Sequence, residues 1–491
     1  MIVSDIFGDY AATAPMIVLL IAALILPAVH IFGKRATATW AVALVFVVIS
    51  AALNILMLTD HFEGETLGMY QYNDYTGLMV LLFQIVAFLA VLVSNESNET
   101  TRLHTGTYYT LLLGATTGMM FVAGSTDLLT IFVGVELTSI SSYALVSMKR
   151  GDSRAAEAAV KYCVIGGMST ALTIYGISML YGLTGTTNIA EIAASSVDMS
   201  WMLAIALVCM VAGYGFKIAA VPFHMWAPDV YEGAATPVSL FLATGSKKMG
   251  LGVFMQIFLV IFVAESALGA ICGEEVQYLF AIIAAFTMTL GNVVAIAQKN
   301  IKRMLAYSSI AQAGYIMIAL AVMSDTAVAA GLFHMFTHVF MKGGAFLVVG
   351  ALIWAGVGER ISDYKGLAKR SPFLAAAMLL FLFSLAGIPP LAGFTSKFFL
   401  FASAIGGPEG VTTQWVWLAF IAILNSAISL YYYARVVKAM YIEKGATTEK
   451  IKVPAAFALA IVICIVMVVV LGVYPQLIYG FCESAAAVLM G

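Results

Sequence analysis

Charge is what this sequence has least of. Of its 491 residues, 10% are Asp, Glu, Lys or Arg, against roughly a quarter in a soluble domain. So few charges cannot cover a water-facing surface. With 62% hydrophobic residues and a mean hydropathy of +0.99, the chain reads as one whose solvent is lipid. The formal net charge of −2 gives no basic surface for nucleic acid. Cysteine is sparse as well. Cys163, Cys209, Cys272, Cys464 and Cys482 form no CxxC pair, haem-attachment run or iron–sulfur spacing, and read as small buried hydrophobes. P-loop, dinucleotide fingerprint, GxSxG and HExxH motifs are all missing. The pairs Gly166-Gly167 and Gly343-Gly344 read as close-packing points, not phosphate cradles. The N-terminus lacks a basic n-region with a cleavage site. Its first apolar run, Thr13 to Phe32, is followed by Lys34 and Arg35 and reads as a retained helix.

What is present is a succession of apolar runs near the length of about 20 residues that spans a bilayer. They predict an all-α polytopic membrane protein of about fourteen transmembrane helices. The expected helices lie near 13–33, 37–59, 75–94, 107–123, 126–148, 156–183, 200–221, 235–264, 276–298, 303–323, 326–356, 373–402, 414–440 and 453–479. No stretch is long and polar enough for a separate soluble domain, so residues 1–491 are expected to form one membrane domain.

The loops test this count. Alternated from an outside N-terminus, the inside loops hold Lys34, Arg35, Arg102, Lys149, Arg150, Arg154, Lys299, Lys302, Arg303, Arg360, Lys365, Lys369, Arg370, Lys444, Lys450 and Lys452. The 7–8 loop is the exception, with acids and no base. The outside loops hold Asp60, Glu63, Glu65, Asp74, Glu191, Asp198, Glu274, Glu275, Asp325 and Glu409, and no Lys or Arg. The positive-inside rule then predicts an even number of spans with both termini outside.

Once loop charges are set aside, Lys217, Lys247, Lys248, Lys342 and Lys397 remain inside spans, with Lys161 nearer an inner end and Glu136 the one acid near a span centre. A charge at bilayer depth costs at least about 2.5 kcal/mol, so a set of this size points to an ion or proton path. Glu136 follows Phe132-Val-Gly-Val and is read either as a protonated acid bonding a neighbouring helix or as the carboxylate that keeps a lysine charged. Lys217 precedes Pro222, and Lys397 follows Pro389 and Pro390. Proline lacks a backbone donor, and broken helices mark ion sites in transporters. The recurrence of a Gly/Pro break beside one lysine in each half is a weak trace of an inverted repeat.

Lys247 and Lys248 stand about 100° apart on a helix. Lys247 is taken as the relay, and Lys248 as a spare, as snorkelling to the interface, or as bonded to a carbonyl. His334, His338 and Lys342 share one face by i, i+4, i+8 spacing. A proton-relay face and plain interhelical hydrogen bonding both fit; a third metal ligand is not evident, so no metal is expected. Glu157 and Lys161, at i and i+4, read as a local ion pair or as a proton entrance.

Three runs also resemble a known family. Gln298 to Tyr315, Phe223 to Pro237 and Ser153 to Tyr162 are similar to signatures of the antiporter-like subunits of complex I. The resemblance extends from about the fourth to the thirteenth helix. Within the superfamily the Glu-Ala-x-x-Lys-Tyr run, the Lys-Lys pair and the lysine of the twelfth helix are most similar to the N-type subunits of NADH–quinone oxidoreductases and F420H2 dehydrogenases, whereas the two histidines resemble the L and M types. The resemblance implies three leading helices in 1–94 and inverted five-helix repeats at 107–264 and 276–440, with helices seven and twelve broken. A last helix and C-terminus would occupy 453–491.

It further implies that Glu136 and Lys217 form the carboxylate–lysine pair, Lys247 the bridging residue and Lys397 the terminal lysine. Flavin, iron–sulfur clusters and quinone or methanophenazine would belong to partner subunits, with no cofactor in this chain. Its partners would be other membrane-arm subunits and the lipid bilayer of a prokaryotic cell membrane. A carboxylate favours the charged form of a buried lysine and desolvation disfavours it. Moving Glu136 relative to Lys217, or changing its charge, would then switch Lys217 between holding and releasing a proton, and a redox reaction in partner subunits would drive protons from the inner face through Lys217, Lys247 and Lys397 to the outer face. A multi-subunit cation/proton antiporter of the Mrp type, and a membrane-arm subunit that only supports the assembly, are the competing expectations.

Overall fold

A computed structural model describes the chain except residues 1, 34, 101–103, 150, 264, 265, 408, 409, 412, 446 and 448. Lys34, Arg102, Arg150 and Glu409 of the loop-charge pattern therefore lie outside the described residues. The longer helices are α1 Ala14–Gly33, α2 Ala36–Thr59, α3 Asp74–Ser94, α4 Thr105–Gly124, α5 Leu128–Ser147 and α6 Ser153–Thr184. Next come α7a Trp201–Ile218, α7b Trp226–Gly233, α8 Thr236–Phe262, α9 Ala267–Ala297, α10 Ile301–Val322 and α11 Asp325–Trp354. The series closes with α12a Pro372–Ala386, α12b Ala392–Ser403, α13 Val416–Tyr441, α14 Ala455–Val473 and α15 Gln476–Met490.

Twelve helices among the described residues are long and apolar enough to cross a membrane. This makes the chain a multi-pass membrane protein. The other two expected spans fall on α4, which is less apolar, and on the pair α12a and α12b, each too short alone. Length and composition thus establish twelve of the fourteen.

Burial sorts the helices into two classes. In α3, α8, α10 and α11 more than four-fifths of the most apolar window is buried, so these form the centre. By contrast α1, α2, α6 and α14 bury a third or less and present Leu24, Val45, Val164 and Leu459 outward. That polarity inversion is what a lipid-facing rim requires. Polar side chains in α8, α10 and α11 are thus placed in protein, not lipid.

Side-chain caps set several helix starts: Asn73, Asp127, Asp152, Ser200, Asn300 and Ser324 each accept from backbone N–H groups of the first turn. The loop after α3 caps helices distant in sequence. Glu99 accepts from Thr236 N at the start of α8 at 2.8 Å, and Glu96 from Ala456 N at the start of α14 at 2.8 Å. Loops read as lying on the inner side do meet at one end. There Lys302 lies 3.7 Å from Glu99 and 3.2 Å from Glu359, while Lys149 lies 3.3 Å from Glu99.

Four features depart from the sequence reading. Lys302, expected in a loop, is wholly buried in that ion cluster. A β-hairpin, Gly64–Thr66 with Tyr70–Tyr72, covers the opposite end. Beyond α14 the chain forms α15, which packs on α3 and α11. Cys163 is exposed, unlike the other four cysteines. Of the paired glycines, Gly166 and Gly344 are close-packing points, since a Cβ would collide with Tyr143 Oη or the Phe381 ring, whereas Gly167 faces open space.

Candidate functional site

The break in α12 follows from its sequence. In a regular helix the carbonyls of Leu385 and Ala386 accept from the N–H groups of residues 389 and 390. Both are prolines and have none. Leu385 O instead accepts from Lys397 Nζ at 2.8 Å and Gln312 Nε2 at 3.2 Å; Ala386 O accepts from Ser426 Oγ at 2.9 Å. Ser426 Oγ also accepts from Lys397 Nζ at 3.1 Å, and the ammonium sits 4.6 Å from the Tyr315 ring centroid.

At α7 the proline effect is milder. Helix α7a ends at Ile218, Ala219 turns left-handed at φ 56°, and Pro222 cannot supply an N–H to Ile218 O. The Trp226 indole donates to Phe216 O at 2.8 Å, and Val221 N donates to Thr287 Oγ1 on α9 at 3.0 Å. Lys217 therefore occupies the last turn of a half-helix.

Glu136 and Lys217 line one small cavity but are not in ion-pair contact. Glu136 accepts from Thr170 Oγ1 at 2.8 Å, while Lys217 Nζ donates to Ser139 Oγ at 2.9 Å. The expected carboxylate–lysine contact is thus replaced by two hydroxyl contacts. Glu136 is half-buried and Lys217 is buried. Ser139 follows Glu136 by three residues, a spacing visible in the sequence; Thr170, on α6, is not so marked.

Both lysines of the α8 pair are buried, and neither Nζ has a protein hydrogen-bond partner. Lys247 Nζ lies 5.6 Å from the Tyr231 ring centroid on α7b. Lys248 neither snorkels nor meets a carbonyl, which removes two of its expected roles. It lies close enough to His334 and His338 to interact with them electrostatically. The sequence gives no sign that α8 is irregular. Two five-residue π-helical stretches interrupt it, Leu242–Ser246 immediately before the lysines and Met255–Leu259 after them. Such bulges are frequent at functional sites.

Helix α11 supplies three wholly buried titratable side chains, His334, His338 and Lys342. His334 Nε2 faces Gln312 Oε1 at 2.9 Å, and Nδ1 faces Ser396 Oγ at 2.8 Å. Because Gln312 uses its amide N–H on Leu385 O, its Oε1 is an acceptor, which assigns the proton of a neutral His334 to Nε2. Both ring nitrogens are then engaged and offer nothing to a metal. His338 has no protein partner at either nitrogen. Lys342 Nζ donates to Ser308 Oγ at 2.5 Å and Leu305 O at 3.2 Å.

Lys161 pairs with Glu157 at 2.6 Å, as its spacing predicts, and also with Asp229 of α7b at 2.7 Å. That group is partly exposed at the Lys302 end and apart from the buried set. No group of three or more His, Cys, Asp or Glu among the described residues is arranged to hold a metal ion. The structure thus gathers Lys217, Lys247, Lys248, His334, His338, Lys342 and Lys397 on the adjoining helices α7a, α8, α11 and α12b, with Glu136 at one edge.

Comparison with known proteins agrees in kind. The F420H2 dehydrogenase subunit N of Methanosarcina mazei is 43% identical over 439 residues, covering 87% of this chain and 86% of its own. The NADH-quinone oxidoreductase subunit N of Desulfitobacterium hafniense is 40% identical over 440 residues, 86% of each chain. A chain of respiratory complex I from Thermus thermophilus with bound Aureothin superposes with a TM-score of 0.80 at 29% identity, covering 95% of this chain and 98% of that one. The family described as NADH:quinone oxidoreductase/Mrp antiporter, TM matches residues 125–429, which span both helix breaks and every buried lysine of the file; the chain belongs to that family.

Proposed function

We propose that this chain is the proton-translocating, N-type membrane-arm subunit of a complex I-like oxidoreductase. Partner subunits would oxidise NADH or F420H2 and reduce quinone or methanophenazine, holding the flavin and iron–sulfur clusters; this chain carries no redox chemistry of its own. It would sit in a prokaryotic cell membrane with both termini on the outer side. Its two repeats would be residues 107–264 and 276–440, with 1–94 and 453–491 flanking them.

One observation carries the reading: apart from the ion-paired Lys302, five buried lysines sit on neighbouring helices, at the two breaks on α7a and α12b and between them on α8 and α11. Stability alone does not ask for this, since well-packed apolar side chains serve as well or better at such positions. The unpartnered Nζ atoms of Lys247 and Lys248 and both His338 nitrogens call for water as their hydrogen-bond partner. A hydrated file of groups able to lose and regain a proton is what translocation needs. Lys217, Lys247 and Lys397 form the main route, with Lys248, His334, His338 and Lys342 as further relay groups and Lys161 with Glu157 at an entrance. Glu136 acts on Lys217 across a cavity lined by Ser139 and Thr170, so a small shift of either helix changes their separation. Moving one charge against 100 mV takes about 2.3 kcal/mol, within reach of a change in such a buried pair.

The test uses inside-out vesicles carrying the assembled complex. Lys217→Ala and Glu136→Ala should each abolish proton uptake driven by electron transfer; undiminished uptake in both would refute the route. Sodium-dependent exchange in the absence of any redox partner would favour the Mrp-type antiporter instead.

A further inference from the structure

Helix α8 connects the central lysines to the end of the bundle covered by the hairpin, on a face that the route through Lys397 does not use. Between its two π-helical stretches the helix is regular from Lys247 to Phe254. At about 100° per residue, position 252 lies about 40° from Lys248 and about 140° from Lys247. The two neighbouring lysines therefore address different directions. Lys247 approaches Tyr231 of α7b; Lys248 shares its side of α8 with Gly252.

That side carries polar atoms. Tyr75 Oη donates to Gly252 O at 3.0 Å, a close approach that glycine eases, since a Cβ there would press on the Met79 methyl at 2.8 Å and Tyr75 Oη at 3.0 Å. One turn further, Gln256 is the second residue of the second π-helical stretch. Its amide nitrogen donates to Ser125 O, the carbonyl that follows α4. Its Oε1 is buried and has no protein partner. Gln256 and Tyr75 both line a polar cavity of about 340 Å³ with Glu65, Asn73, Thr76 and Ser125. The cavity lies beside the hairpin and the β-bridges Tyr70–Ser125 and Asp127–Asn188, at the opposite end from Lys302.

We propose that Lys248, Tyr75 and Gln256 form a second proton outlet, from the central file through this cavity to the outer face. The proposal rests on the translocation reading above and adds a place of exit. In the step, an Nζ–H bond of the Lys248 ammonium breaks and its electron pair stays on nitrogen. The proton passes along a chain of waters, first by Tyr75 Oη at the level of Gly252 and then by Gln256 Oε1, and leaves past Glu65. The nitrogen regains a proton from the file. Neither Tyr75 nor Gln256 changes its own protonation state; both orient the water.

Two measurements on the assembled complex test the outlet. In inside-out vesicles, Lys248→Met and Lys248→Arg should each lower the protons taken up per electron by about half, one of two outlets being closed, because arginine keeps the charge but does not release the proton. Full recovery with arginine would mean a structural charge and would overturn the outlet. In a Cys163→Ser background, Gln256→Cys should react with a membrane-impermeant thiol reagent at least about tenfold faster from the outer face than from the inner. Equal or inner-face reactivity would also overturn it, and this readout does not depend on pumping. Lys217→Ala separates the two readings. If it stops uptake while Lys248→Met leaves the ratio unchanged, the outlet alone fails; if neither affects uptake, translocation by this chain fails with it.

Discussion

Lys397 Nζ donates at 2.8 Å to the carbonyl of Leu385, an oxygen left without its helical donor because residue 389 is proline. Residues far from Lys397 in the helical register thus build its binding site. The same carbonyl receives Gln312, whose other amide atom meets His334. The break, the lysine and the histidine on α11 form one hydrogen-bonded unit.

Restoring the missing donor should weaken that unit. In Pro389→Ala the new N–H competes with Lys397 for Leu385 O. A hydrogen bond to a charged group is worth about 1.5–3 kcal/mol, so redox-driven proton uptake should fall about tenfold or more where that bond sets the charge on Lys397. Fluorescence quenching in inside-out vesicles, with assembly checked on native gels, reads the effect. Wild-type uptake would mean the freed carbonyl is dispensable.

Arginine at position 217 separates charge from proton release. Lys217→Arg keeps a cation for Glu136 but holds its proton at any working pH. The complex should assemble and fail to pump. Pumping at the wild-type rate would exclude proton release at this position.

The Glu99 cluster carries a pH signature. Burial raises the Glu99 pKa, but Lys302, Lys149 and the bonds from Thr236 outweigh it and bring the carboxyl down from 4.5 to about 2. A depressed pKa stabilises the fold fully above pH 4.5 and progressively less as pH falls toward 2. By linkage the effect is about 3 kcal/mol. Glu99→Gln should therefore lower the Tm of the detergent-solubilised protein at pH 7. Its deficit against wild type should narrow as pH drops below 4.5. A deficit that does not change with pH would assign the effect to packing instead.

Packing makes a simpler claim. A Cβ at Gly344 would sit 2.4 Å from the Phe381 ring, so Gly344→Leu should cost about 1–3 kcal/mol through overpacking. Gly167, facing open space, should tolerate alanine within about 0.5 kcal/mol. Equal Tm losses for the two would contradict the packing described.

How much was legible differs by residue. Lys217 and Lys397 stood out because a charge in an apolar run beside proline is locally anomalous, and local anomalies survive in one dimension. Lys302 was misread because it opens α10 among other bases; only the carboxylates of Glu99 and Glu359, both distant in sequence, show that it is buried. Thr170 and Ser426 give no local signal, since hydroxyls are common in membrane helices and their partners sit on other helices. The π-helical stretches of α8 went unseen, as their sequences are ordinary and contain no proline.

The sequence by itself determined the solvent, the succession of apolar spans, the two breaks and the candidate charged residues, because hydropathy, proline chemistry and charge are properties of single residues and short windows. Tertiary structure alone decided which charges are buried. It parted Glu136 from Lys217 and fixed His334 between Gln312 and Ser396. Each of these depends on which helix lies opposite, and helix order around a bundle is set by packing across the whole chain.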